Sequence, residues 1–345
     1  MRDLLPPRAL WIAPLLALAL AVAVACTGDD DGDGDAGQPA EQTPQVEVQE
    51  RLQVVGSTGI IAHFAEQIAG DDADVASVIP PGADAHSFTA TTTSIRNIAA
   101  ADLVIVNGYN LEESTLATIF ANLPEDARLA IATVGITPLE GGHHHHGHDH
   151  GEGEDGHDEE MRVSAEHELA VADGDPHMWL TIPNAMVYVR NIANAIVDAD
   201  PANAAAYRER EAAYLAELQK LDEEVRATIA TIPQESRVLI VYHDAFQYFS
   251  AEYGLELAAT VLPGNPSQQA SAAAVAEIIE IVAGRQVGAV YREPQFAADA
   301  IEAIAEEAGV RVLTLYSAAF TDEVDTYVKL MRANAESLVE GLGGG

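Results

Sequence analysis

Residues 201–232 read PANAAAYREREAAYLAELQKLDEEVRATIATI. Ala, Glu, Leu and Arg dominate, and after the first residue there is no Gly or Pro to break a helix. Pro201 suits the first helical position and Asp200 can cap it. Over 201–231 such a helix spans roughly 45 Å at 1.5 Å per residue. That is too long for an ordinary crossover and predicts a rigid strut between two lobes. Both flanks repeat one grammar. Before the strut, strands are expected at 52–57, 74–79, 102–107 and 128–133, with helices at 59–69, 93–100, 112–123 and 183–199. After it, strands are expected at 237–242, 255–261, 288–291 and 311–316, with helices at 244–253, 267–284, 296–308 and 323–342. Strand and helix alternating four times in each half imply an α/β fold with two parallel sheets covered by helices. Right-handed crossovers put the carboxyl strand ends on one edge of each sheet.

The 345 residues carry a net charge of −38 and are 48% hydrophobic, ample for two cores. So acidic a surface excludes nucleic acid and anionic membrane as partners, since phosphate contacts need clustered Lys and Arg. It also concentrates cations. The only cysteine, Cys26, closes an N-terminal segment in which Arg2 and Arg8 precede an apolar run over 10–25. This order reads as an export signal. A cysteine after the small residues Ala23-Val24-Ala25 resembles a bacterial lipobox, although Ala23 stands where Leu is usual. Lipidation at Cys26 would anchor the chain outside the cytoplasm, and a plain cleaved signal is the alternative. Residues 27–49, rich in Asp, Gly and Pro, read as an acidic flexible tether. The partition expected is a signal at 1–26, the tether at 27–49, an N-terminal lobe at 50–183 with a His-rich loop at 141–174, linking helices at 184–232, and a C-terminal lobe at 233–345. With Cys26 at the anchor, no thiol remains for a disulfide, a metal or a nucleophile.

Residues 141–180 hold nine of the twelve histidines. His143, His144, His145, His146, His148, His150 and His157 lie among glycines and carboxylates with no hydrophobic period, so this tract cannot pack a core. Dense imidazoles beside carboxylates are ligands for borderline metals such as zinc. In open α/β sheets ligands bind beyond the carboxyl ends of the strands. Four residues fall there. His86 follows the second strand through PPGAD, His177 follows the fourth after the tract, His243 directly follows RVLIVY, and Glu293 lies two residues after GAVY. Three histidines from three strand-end loops, two from one half and one from the other, fit one site at a lobe interface. Asp175 and Asp244 can orient the imidazoles. His63, on the first helix, reads as ordinary packing, and His167 could join either the tract or the ordered body.

The blocks IPPGADAHSFTAT, DPHMWLTIPNAM, YHDAFQYFSAEYGL, EPQF and YVKLMRANAESL resemble those of the zinc- and manganese-binding lipoproteins that feed ABC importers, the ZnuA/TroA-like cluster A-I family. The match runs in order from about Leu52 to Leu342. It implies two (βα)4-type lobes with parallel sheets joined by a long rigid helix, and a metal held between them by His86, His177 and His243. It further implies that the tract is the flexible loop often seen in zinc-selective members, either an accessory metal loop that collects or senses zinc or a plain solvated loop. Members often supply an Asp after the last strand as fourth ligand, but Ala318 stands in that place. Glu293, Asp322 or water is then left to complete the shell. Without that carboxylate Zn2+ is favoured over Mn2+. The reading is therefore a monomeric extracytoplasmic zinc receptor that touches the membrane through its anchor and hands Zn2+ to an ABC permease. A manganese receptor or adhesin of the same fold is the alternative. A three-histidine zinc hydrolase with Glu293 as base is the more distant one, as there is no HExxH or GxSxG motif.

Overall fold

Four short apolar runs, Leu52–Gly56 (β1), Ala73–Ser77 (β2), Leu103–Val106 (β3) and Arg128–Ile131 (β4), pair in parallel in the order β2-β1-β3-β4. Val238–His243 (β5), Glu256–Leu262 (β6), Ala289–Arg292 (β7) and Arg311–Thr314 (β8) form a second parallel sheet in the order β6-β5-β7-β8. The second order is the first advanced by four strands, so the two halves share a topology. The computed structural model describes residues 51–139, 165–262, 270–285 and 287–343, with the backbone alone at 165–167. The signal, Cys26, the tether, the histidines from His143 to His157 and the side chain of His167 lie outside the described residues.

Helices cover both sheets. They are Gly59–Ala69 (α1), Thr92–Ala99 (α2), Glu113–Asn122 (α3), Ala165–Ala170 (α4), Ile182–Ala199 (α5), Ala204–Ile229 (α6), Gln247–Tyr253 (α7), Ala272–Arg285 (α8), Asp299–Ala308 (α9) and Tyr327–Leu342 (α10). β3 and β5 are buried along their whole length, as strands covered on both faces must be. Among the described residues no helix is long and apolar enough to cross a membrane.

The long helix is shorter than its sequence suggests. Pro201–Asn203 form a 3-10 turn, and α6 proper has 26 residues, or about 39 Å. Asp200 precedes that turn. Its Oδ2 accepts from the Asn203 side chain and the Tyr207 hydroxyl, both at 2.7 Å. Tyr207, Tyr214, Leu218, Leu221, Val225 and Ile229 form a buried stripe on α6. Its two ends are tied to different halves. Arg210 donates to Ile68 O and Ala69 O at 2.7 Å each, closing the C-terminus of α1. Arg226 reaches Glu252 on α7. The expected helix 323–342 starts only at Tyr327, where Thr326 Oγ1 accepts from Lys329 N–H at 3.2 Å.

His63 sits where the halves meet. It is buried in an aromatic nest of Phe64, Tyr214 and Phe320, with ring centroids 6.1, 6.4 and 5.3 Å away. Its Nε2 accepts the Tyr327 backbone N–H at 3.3 Å, so the neutral ring links α1 to the start of α10. Burial pulls its pKa down to about 4 against the opposing pull of Asp325. The unfolded chain regains the ordinary 6.5, so it takes up a proton that the folded ring refuses. Metal-free protein should therefore lose stability as pH falls from about 6.5 towards 4, by at most about 3 kcal/mol from this residue. His63→Gln keeps an acceptor and does not titrate. Urea midpoints at pH 7 and pH 5 should drop less in the variant than in the wild type, and equal drops would contradict the assignment.

Candidate metal centre

Two loops and one strand end carry the three histidines to one point. His243 is the last residue of β5, and Glu293 lies one residue beyond the end of β7, the neighbouring strand. These two strands flank the point where the sheet order reverses, the usual place for a ligand in such sheets. His243 Nδ1 donates to Glu293 Oε1 at 2.7 Å, and both residues are buried. His177 follows Asp175, whose Oδ1 accepts from the His177 backbone N–H at 3.0 Å and from its Nδ1 at 2.8 Å. His86 sits in the loop after β2. Asp84 Oδ1 accepts its backbone N–H at 3.1 Å and Oδ2 accepts from the Ser87 hydroxyl, which makes a self-braced turn.

The Nε2 atoms of His86 and His177 are 3.1 Å apart. Ring centroids lie at 5.2 Å for His86–His177, 5.2 Å for His177–His243 and 6.0 Å for His86–His243. One nitrogen from each ring lies within 4.8 Å of the others. Nitrogens bound tetrahedrally at 2.0–2.1 Å stand about 3.4 Å apart, so small ring movements suffice to seat a zinc-sized cation. Among the described residues this is the one group of three or more His, Cys, Asp or Glu that could hold a metal. The carboxylates fix the tautomers. With Nδ1–H donated to Asp175 or Glu293, Nε2 keeps the lone pair that a metal needs. Burial disfavours charge on His243, but the Glu293 carboxylate outweighs it and holds the imidazole above its usual range. The same pull makes the ring a more basic ligand. Phe296 packs edge-on to His243 at 5.0 Å, and Trp179 lies 5.5 Å from His177, so two sides of the site are apolar walls.

A second polar layer holds the His177 loop. Asn107, just beyond β3, donates to Pro176 O at 3.0 Å and accepts from the Tyr188 hydroxyl at 2.7 Å. Its own N–H goes to Glu112 Oε1 at 2.7 Å, and Ser57 donates to the same oxygen. Burial raises the Glu112 pKa despite these donors. From the other lobe, the Tyr248 hydroxyl donates to Asp175 O at 2.9 Å and accepts Leu139 N–H at 2.8 Å. Tyr109 and Asn110 are left-handed, with φ of 53° and 56°, which turns their amides onto Leu169 O and Ala170 O at the end of α4. Gly174, at φ 148°, lets the chain pass between Pro138 and Tyr109, where a Cβ would lie 2.8 Å from Pro138 Cβ. Sequence reasoning did not find Asn107, Glu112 or Tyr248. A Glu soon after a strand, two residues beyond Asn110, was the one available signal.

The other expected residues fall elsewhere. Glu293 turns both oxygens to protein donors, His243 on one side and Gln295 and Ser317 on the other. It stands behind His243 and is not one of the grouped ligands. Asp244 accepts from Gln247 at 2.8 Å, so the carboxylate beside His243 in sequence is not the one bonded to its ring. Asp322 lines a cleft with His63, Glu66 and Asp325 and is likewise outside the group. Ala318 packs against the core.

An iron-binding protein of Yersinia pestis, YfeA, is 29% identical over 308 residues, 88% of this chain and 90% of that protein. The manganese ABC transporter substrate-binding lipoprotein PsaA of Streptococcus anginosus is 26% identical over 300 residues, 85% of this chain and 90% of its own length. The solved periplasmic zinc-binding protein TroA of Treponema pallidum superposes with a TM-score of 0.71 at 26% identity, covering 85% of this chain and 99% of that one. Residues 54–341 match the model of the ZnuA family, described as zinc-uptake complex component A, periplasmic, and the chain belongs to that family.

Proposed function

We propose that the chain is an extracytoplasmic receptor that binds one Zn2+ through His86, His177 and His243 and delivers it to the membrane permease of an ABC importer. The family is one of substrate-binding receptors, not enzymes, which removes the hydrolase reading. Glu293, the base that reading needs, is bonded to His243. Binding metal is common to the relatives, but their names differ in the metal: iron for YfeA, manganese for PsaA, zinc for TroA. The choice therefore rests on the donors of this chain.

The observation that carries zinc is the composition of the cluster: three imidazoles and no carboxylate oxygen among the grouped ligands. Three neutral nitrogens with an open fourth position are a common zinc shell, whereas manganese prefers oxygen-rich sites. Water is the fourth ligand this reading assigns. Cys26 as a lipid anchor, a monomeric state and an accessory role for the histidine tract complete the proposal. The stripe on α6, tied to both halves, supports release by small loop and lobe shifts instead of a wide hinge.

Elemental analysis after loading with equimolar Zn2+ and Mn2+ tests the site. Wild-type protein should keep one Zn2+ per chain through gel filtration. His177→Ala should keep none tightly, and deletion of residues 143–160 should keep one. Tight binding that survives His177→Ala but vanishes with the deletion would move the site into the tract, and one retained Mn2+ would favour the manganese receptor. Glu293→Gln removes the charge that holds His243 without changing its size. Zinc affinity measured by chelator competition should fall about 10–100-fold in this variant. Unchanged affinity would mean that Glu293 does not support the ligand.

A further inference from the structure

We infer that Ser317 is a positioning and specificity-determining residue, joining two ligands across the lobes and keeping Glu293 off the metal. The inference rests on the three-histidine site proposed above. Ser317 follows β8 by three residues and is 1% exposed. Its backbone and side chain serve different histidines. The hydroxyl donates to Glu293 Oε2, and the other oxygen of that carboxylate accepts from His243 Nδ1–H. The carbonyl accepts from Trp179 Nε1 at 2.6 Å. Trp179 lies two residues after His177 and against its ring, and the Tyr327 hydroxyl holds the Trp179 carbonyl at 2.6 Å.

The position of Ser317 is fixed from behind. Asn334, on α10, accepts Tyr316 N–H at 2.7 Å and donates to Tyr316 O at 2.8 Å. Gln295 Nε2 donates to Ser317 Oγ at 2.7 Å and to Glu293 Oε2 at 3.1 Å. Ser317 Oγ thus accepts one bond and donates one, and its proton has a single direction. That direction holds Glu293 in the rotamer that serves His243. A carboxylate that lost this donor would keep only the longer Gln295 bond on that oxygen, 3.1 Å, and a divalent cation in the site would compete for it. Ser317 stands immediately before the Ala318 place. The loop therefore supplies a hydroxyl that restrains a neighbouring carboxylate and offers no carboxylate of its own.

The test measures Zn2+ and Mn2+ affinities by competition for wild type, Ser317→Ala and Ser317→Thr, with thermal melts of the metal-free proteins alongside. Ser317→Ala deletes the hydroxyl and leaves the carbonyl to Trp179. It should weaken zinc binding about tenfold, the low end for a group supporting a ligand, and lower the zinc-over-manganese ratio. Ser317→Thr keeps the hydroxyl and should restore both values. A purely packing role would shift the melts and leave the ratio unchanged. The inference is overturned if Ser317→Ala keeps wild-type affinity and ratio, or if the Ala and Thr variants lose equally. His243→Ala in the same assay separates the two claims. If it still binds zinc tightly, the site itself is wrong. If it does not while Ser317→Ala is unaffected, only the relay fails.

Discussion

Asp175 and Glu293 are almost wholly removed from water, and each faces one imidazole nitrogen. Burying a carboxylate costs several kcal/mol unless strong donors surround it. An Nδ1–H is such a donor, and by keeping its proton in the hydrogen bond to the carboxylate it leaves Nε2 as the ring's only lone pair. One interaction therefore sets tautomer, ring plane and ligand basicity together. Because two rings are held this way, one in each half, the protein's own carboxylates direct their lone pairs. His86 is half-buried, and the Asp84 turn holds its backbone N–H.

That arrangement needs two sheets whose carboxyl edges meet, and the repeated strand order supplies them. His243 and Glu293 come from adjacent strands at the switch point of the second sheet, while Asn107 performs the related task for the His177 loop at the switch point of the first. The seam between halves is stitched by buried polar contacts: Trp179 to Ser317, Tyr327 to Trp179, Tyr248 to Asp175, and His63 to Tyr327. α6 runs along the back with one arginine tied to each half. Buried polar networks of this kind have few alternative satisfied arrangements, which favours one lobe geometry over a continuum.

The alternation of strands and helices was legible because buried parallel strands are nearly continuous apolar runs, as LVIV and VLIVYH are. The grouping of the three histidines was legible by one topological rule, since His86 and His177 follow strands β2 and β4 and His243 closes β5. The partners of those histidines were not. Asp244 adjoins His243 in sequence, but side-chain direction gives the ring to Glu293, fifty residues on. Adjacency across a sheet decides this, and a single sequence does not record it. Ser317 was hidden for the same reason, as its role depends on a carbonyl and a hydroxyl that point to different lobes. The start of α10 moved to Tyr327 because Thr326 caps there. The histidine tract is the loudest signal in composition, and its histidines from His143 to His157 lie outside the described residues.

X-ray absorption at the zinc edge on the loaded full-length protein addresses the central claim directly. Three imidazoles and one further light atom should appear, with nitrogens at about 2.0–2.1 Å and the multiple scattering of coordinated rings. A shell of carboxylate oxygens with one or no imidazole would contradict the account.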